Sequence, residues 1–258
     1  MKIHLRIILA GIVVFSLFSY AAHAAPEIET ECNLGKDAAV LAEAESFAGS
    51  EQERLVKELS ARKILLAHVL SCAIEETRGV AQDLAFVKIL EHEIRIARFK
   101  ATLIGSLTAT ENYYASQQEK IKDLGLWGSK VMARDVREWR LKNFALTKEA
   151  VASFILWRNH QELLVAAHTR LAQIHDTVRI LELEKNEEVA LLVKSAEASL
   201  AYAKERYAVL DAAFSSQAIP EKPLEIVKAS LEALGDTYQS FFDLSETVKT
   251  LLPRSRGQ

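Results

Sequence analysis

Residues 157–181 read WRNHQELLVAAHTRLAQIHDTVRIL. Trp157, Leu164, Ala167, Leu171, Ile174, Val178 and Leu181 recur at steps of three, four and seven, the spacing that keeps side chains on one face of an α-helix. No proline interrupts the stretch, and none interrupts its surroundings. Between Pro26 and Pro220 lie 193 residues without that helix breaker, a run that strand-and-turn folds rarely contain.

The same rhythm extends in both directions. Upstream, Val87, Leu90, Ile94, Ala97, Ala101 and Ile104 form one apolar seam, and Phe86, Ile89, Ile96, Leu103 and Leu107 form a second beside it. Two adjacent seams make a wide apolar face, which suits a bundle of several helices. Downstream, Val189, Ala196, Leu200, Ala203, Tyr207, Leu210 and Phe214 continue it, followed by Leu224, Val227, Leu231, Leu234, Tyr238, Phe241 and Val248. The fold expected is all-α: an elongated bundle of long antiparallel helices with coiled-coil-like seams.

Punctuation sets the boundaries. Ser50-Glu51-Gln52-Glu53 is a capping box, so a helix should open at about Glu51. Gly79 is a place for that helix to kink or end. Gly125-Leu126-Trp127-Gly128 reads as a turn with Ser129 as the next cap, and Asn186 as a cap or a bend. Ile219-Pro220-Glu221-Lys222-Pro223 reads as a linker, with Pro223 suited to a first helical turn. These marks give a short helix over 36–47 and long helices over 51–78, 81–123, 130–184 with a break near 144–147, 187–217 and 223–251. The bundle proper is then 25–219, with residues 220–258 a C-terminal helix packed on it and a frayed tail from Pro253.

The first 24 residues form a separate unit. Lys2 and Arg6 precede an apolar run from Ile7 to about Tyr20, and Ala22-His23-Ala24 is a small-x-small site. That is the pattern of a secretory signal peptide cleaved after Ala24. An uncleaved anchor helix is the other reading of the same run. Loss of Lys2 and Arg6 with the leader would move the net charge from −3 to −5. Neither value supplies a basic field for nucleic acid. No later apolar run is long enough to span a bilayer.

Cys32 and Cys72 are the two cysteines. Export places them where disulfides persist. With a turn near Gly49, Cys72 sits about 34 Å along one helix, a height the chain around Cys32 can match. A bridge would close a loop of about 40 residues and stabilise the fold by ~4 kcal/mol. The competing reading is a metal site, because His68 and Cys72 are one helical turn apart. With Cys32 they make three ligands and show no fourth.

Other candidate residues compete with plain packing. His160, His168 and His175, at spacings of eight and seven, lie on roughly one side of a helix and are weak metal-ligand candidates. No histidine has a glutamate three residues before it, as a di-iron bundle requires. Lys130, Arg134, Arg137 and Arg140 make a basic stripe beside Trp139, a composition found at partner-binding hot spots. Asp135 and Glu138, interleaved, offer ion pairs instead. One of Tyr113-Tyr114, and one of Phe241-Phe242, should face the core. Glu75-Glu76 and Glu187-Glu188 read as solvated faces, since adjacent helical residues diverge by about 100°. No phosphate loop, nucleophile elbow or His-Glu-x-x-His occurs, so no catalytic residue and no cofactor is assigned.

Ala61-Arg62-Lys63-Ile64-Leu65, Tyr113-Tyr114, Glu138-Trp139-Arg140, Phe154-Ile155-Leu156, Ala167 and Arg170-Leu171 resemble a pattern in uncharacterised exported all-helical proteins of candidate-phyla bacteria. The resemblance spans about residues 55–185 and implies a helical, exported protein; that family has no activity to carry over. The expectation is an exported, non-enzymatic helical scaffold or protein-binding module at the cell envelope, its partner another envelope or extracellular protein. A holdase chaperone is the first alternative and a metal-binding helical bundle the second. Oligomeric state is left open.

Overall fold

The computed structural model describes Cys32 and residues 34–251, so the expected leader and the tail from Pro253 lie outside the described residues. Among the described residues seven α-helices run in order: α1 Gly35–Glu45, α2 Glu51–Phe86, α3 Ile94–Lys120, α4 Leu126–Trp139, α5 Ala145–Ile180, α6 Glu187–Ser215 and α7 Pro223–Leu251. No strand occurs among the described residues. The 36-residue helices α2 and α5 are each about 54 Å long.

Local chemistry opens several of these helices as expected. Ser50 Oγ accepts from Glu53 N at 3.3 Å, while Ser50 N donates to Glu53 Oε2 at 3.0 Å. Asn186 Oδ1 accepts from Val189 N at 3.0 Å and caps α6. Each such cap satisfies amides that have no intrahelical partner and stabilises by ~1 kcal/mol.

Three packed pairs, α2 with α3, α6 with α7 and α5 with α6, run in opposite directions. On α2 and α3, Arg78 pairs with Glu111 while Ser71, earlier on α2, accepts from Gln118, later on α3. On α6 and α7, Ser230 Oγ donates to Ala203 O at 2.7 Å and Thr247 Oγ1 to Glu188 Oε1 at 3.2 Å. On α5 and α6, His168 meets Lys204 and His175 meets Glu197.

The apolar interior divides along the chain. Leu70 of α2, Tyr114 of α3 and Val136 of α4 pack at one end. Leu164 and Leu171 of α5 pack against Leu200 of α6 and Leu234 of α7 at the other. Between them sits an aromatic junction. The Phe99 and Phe214 rings stack at 4.8 Å, and Phe154 lies 5.6 Å from each. Burying each such ring stabilises by ~2–3 kcal/mol. The first half of α5 serves this junction and its second half serves α6 and α7, so α5 links the two ends.

Three boundaries differ from the expected ones. Helix α2 does not end near Gly79. It continues to Phe86, and the break falls at residues 87–93, which contain neither glycine nor proline. Long-range side chains satisfy the backbone groups freed there: Lys100 Nζ donates to Ala85 O and Val87 O, and Arg158 Nε to Lys88 O. The break resets the helical phase. Leu90, Ile94 and Ile104 of the first expected seam are exposed, whereas Ile96, Leu103 and Leu107 of the second are buried; Phe86, placed in that second seam, is 82% exposed.

Helix α4 begins earlier than expected, with Gly125 as its cap. Ser129 lies inside the first turn, its hydroxyl donating to Leu126 O. At its other end the expected interruption near 144–147 is a π-helical segment, Arg140–Phe144, through which α4 runs on into α5. The capping box, the linker at 219–223 and the bounds of α6 and α7 lie within two residues of the sequence reading.

Candidate functional site

The N-terminal end carries a constrained, chemically mixed surface. Cys32 and Cys72 form a disulfide with Cα atoms 5.9 Å apart, closing 40 residues and tying the chain before α1 to the middle of α2. One helical turn before Cys72, His68 Nδ1 is bonded to Asp37 Oδ2 in the first turn of α1. Arg62 of α2 reaches Glu45 at the far end of α1 and Glu58 on its own helix. A covalent bond, the His68–Asp37 hydrogen bond and the Arg62–Glu45 ion pair thus fix α1 along α2.

Helix α4 packs on the same stretch of α2 and carries the expected basic stripe, which does not form a continuous free cationic surface. Lys130 lies 3.4 Å from Glu58 and Arg134 pairs with its neighbour Asp135. Trp139 is partly buried and stacks on Tyr113, ring centroids 3.9 Å apart. Arg140 bonds Glu76 at 2.6 Å, and Lys148 bonds the other Glu76 oxygen at 2.8 Å. Only Arg137, of these five positions, is an exposed cation without an ion-pair partner among the described residues. Glu76 is half-buried rather than a solvated face. Burial pushes its carboxyl upward, but bonds from Lys148 and Arg140 outweigh that and hold it below the ordinary carboxylate value.

Two adjoining clefts lie against α2 and α4, the first beside α1 and the second beside the chain that precedes α1. The first, about 320 Å³, has a floor of Leu41, Leu65, Leu66, Val69 and Val136, with Arg62, Arg137 and Arg140 at its edge. The second, about 370 Å³, shares Val69, Val136 and Arg140 and reaches the disulfide, Glu76 and Tyr114. Tyr114 is fully buried there. Its hydroxyl has no hydrogen-bond partner of good geometry, although the Arg140 charge acts on it. The cleft combines an apolar floor, a cationic edge and a buried donor, which suits an apolar group carrying a negative charge.

The histidines of α5 are not brought together. His160 is 2% exposed and its Nε2 has no partner among the described residues; burial lowers its pKa to about 4. The Tyr207 ring meets it edge-on at 6.0 Å. His168 and His175 are exposed and bond Lys204 and Glu197 on α6. The grouping of metal-ligating side chains found among the described residues is instead Cys32, His68 and Cys72. Each adjacent aromatic pair does divide: Tyr114 and Phe241 are buried, while Tyr113 stacks on Trp139 and Phe242 is exposed.

The sequence reading missed the roles of Arg62, Glu76 and Tyr114. Arg62 to Glu58 is an i,i+4 spacing and was visible in principle. Arg140 to Glu76 spans 64 residues and carries no local signal. No helix among the described residues is long and apolar enough to cross a membrane. Comparison of the chain with protein-family models, curated proteins and solved structures finds no match.

Proposed function

We propose that the protein is an exported, non-enzymatic binding module, and that the cleft between α1, α2 and α4 takes an apolar segment of another envelope or extracellular protein flanked by carboxylates. The observation that carries this reading is Arg137: an unpaired guanidinium at the edge of an apolar cleft whose other two arginines are already engaged. Arginine beside an apolar pocket is the composition of an interface anchor. The expected disulfide suits an oxidising compartment, and clamping α1 along α2 preforms the cleft, which lowers the ordering cost of binding.

The test is charge reversal. Arg137→Glu should abolish capture of the partner after cross-linking in the native envelope, whereas Arg134→Glu, whose side chain is engaged by Asp135, should leave it intact. Equal capture by both variants rejects the cleft as the binding site. A holdase would instead suppress aggregation of a denatured test protein regardless of Arg137.

A further inference from the structure

We infer that Cys32, Cys72 and His68 form a site for Zn²⁺ when the disulfide is opened, so that this one position alternates between a covalent bridge and a metal bridge between the chain before α1 and α2. The ligating atoms of the three residues all lie within 4.8 Å of one another. Zn–S bonds of about 2.3 Å in a tetrahedron place ligand atoms about 3.8 Å apart, so once the S–S bond is opened the two sulfurs must separate by roughly 2 Å, a movement that side-chain rotation can supply with the Cα atoms 5.9 Å apart. His68 and Cys72 stand one turn apart on α2, the spacing at which two helical side chains share one ion.

A second observation points the same way. His68 Nδ1 is bonded to Asp37, a residue of α1. A carboxylate on one ring nitrogen fixes the tautomer and leaves the other nitrogen as the ligand, the arrangement that supports metal-binding histidines. The His68 side chain is also 43% exposed, which gives an ion access from solvent. Asp37 is thus a positioning residue, and solvent fills the fourth coordination place. Two thiolates and one imidazole are a donor set for Zn²⁺ or its probe Co²⁺ rather than for Mg²⁺ or Ca²⁺.

The chemistry balances with a dithiol as reductant. Two electrons and two protons pass to the sulfurs of Cys32 and Cys72, their S–S bond breaks, and the dithiol closes to its own disulfide. Zinc then displaces the two thiol protons into solvent as two Zn–S bonds form. Exchange with a disulfide oxidant, which takes up the two electrons and leaves as a dithiol, would re-form the Cys32–Cys72 bond and release the ion.

The protein is reduced with a dithiol, freed of reductant without oxygen, checked for helical circular dichroism, and titrated with Co²⁺ and then Zn²⁺. The reduced protein should bind one Co²⁺ with a thiolate-to-cobalt charge-transfer band that Zn²⁺ abolishes, and the disulfide form should show none. His68→Ala should weaken Zn²⁺ binding by at least tenfold, and Asp37→Asn by ten- to a hundredfold with the thiolate band retained. Overturning results are absence of the band in the reduced protein, unchanged affinity in His68→Ala, or loss of helix on reduction that metal does not restore.

Discussion

Arg158 on α5 grips Glu93 with two guanidinium nitrogens, 2.7 Å and 2.8 Å from the two carboxylate oxygens, across 65 residues of sequence. Both side chains are largely buried, at 13% and 16% exposure. The same arginine donates Nε to Lys88 O. One side chain therefore both pairs a buried charge and satisfies a backbone group where α2 has ended and α3 has not begun.

Removing that grip should be costly. Arg158→Ala leaves Glu93 buried and unpaired, with an expected loss of about 3 kcal/mol in denaturant unfolding. Arg134→Ala, which breaks a pair 66% and 54% exposed, should change stability by less than about 0.5 kcal/mol. Equal effects would mean that the linker at 87–93 does not depend on Arg158.

This linker also shows where the sequence was legible and where it was not. Three ends marked by local chemistry were read correctly, the Ser50–Glu53 box, Asn186 and Pro223, whereas the turn expected at 125–128 with Ser129 as cap is already helical from Leu126. The end of α2 carries no local mark. Gly79 looked like a better stop, yet its helix continues, because a single glycine costs a helix only ~1 kcal/mol and packing on α3 supplies more. What ends α2 is Lys100 and Arg158, two side chains from other helices. The core was read where phase is continuous, along Trp157, Leu164 and Leu171, and misread at Leu90 and Ile94, where the break shifts it. The cleft was half legible: the disulfide and the arginine stripe were named, but the partners that engage Lys130 and Arg140 lie on α2, out of reach of spacing rules.

The disulfide should contribute strongly to stability. Closing 40 residues corresponds to ~4 kcal/mol on the chain-entropy model. Cys72→Ser should lower the unfolding free energy by an amount of that order, and reduction of the wild type in the absence of metal should match it. A loss below ~1 kcal/mol would show that packing alone holds α1 on α2.

Stability should depend on pH above the carboxylate range. His160 has a pKa near 4 in the folded chain and about 6.5 when unfolded. Between those values the unfolded chain binds a proton that the folded chain does not, so stability falls as pH drops through that window and levels off below it. The shift corresponds to a loss of up to ~3 kcal/mol. His160→Leu should flatten the slope between pH 6.5 and 4.5. The residual acid sensitivity should lie lower, where Glu58, Glu76 and Glu93, all held below the ordinary carboxylate value, lose their arginine and lysine partners. An unchanged slope in His160→Leu would exclude the buried imidazole as its source.

The tyrosine at the base of the cleft should matter for what binds rather than for folding. Tyr114→Phe removes only a hydroxyl that makes no good protein hydrogen bond. Stability should stay within about 1 kcal/mol of wild type, because no buried bond is broken. A larger loss would reveal a structural role for the hydroxyl through Arg140.

The most direct measurement places a photo-reactive residue at Ala133, exposed beside the first cleft, and for comparison at Lys228, exposed on α7. Irradiation in the native envelope should give one discrete cross-linked protein from Ala133, lost on adding Arg137→Glu, and no such product from Lys228. The same set of products from both positions, unaffected by Arg137→Glu, would contradict a binding cleft between α1, α2 and α4.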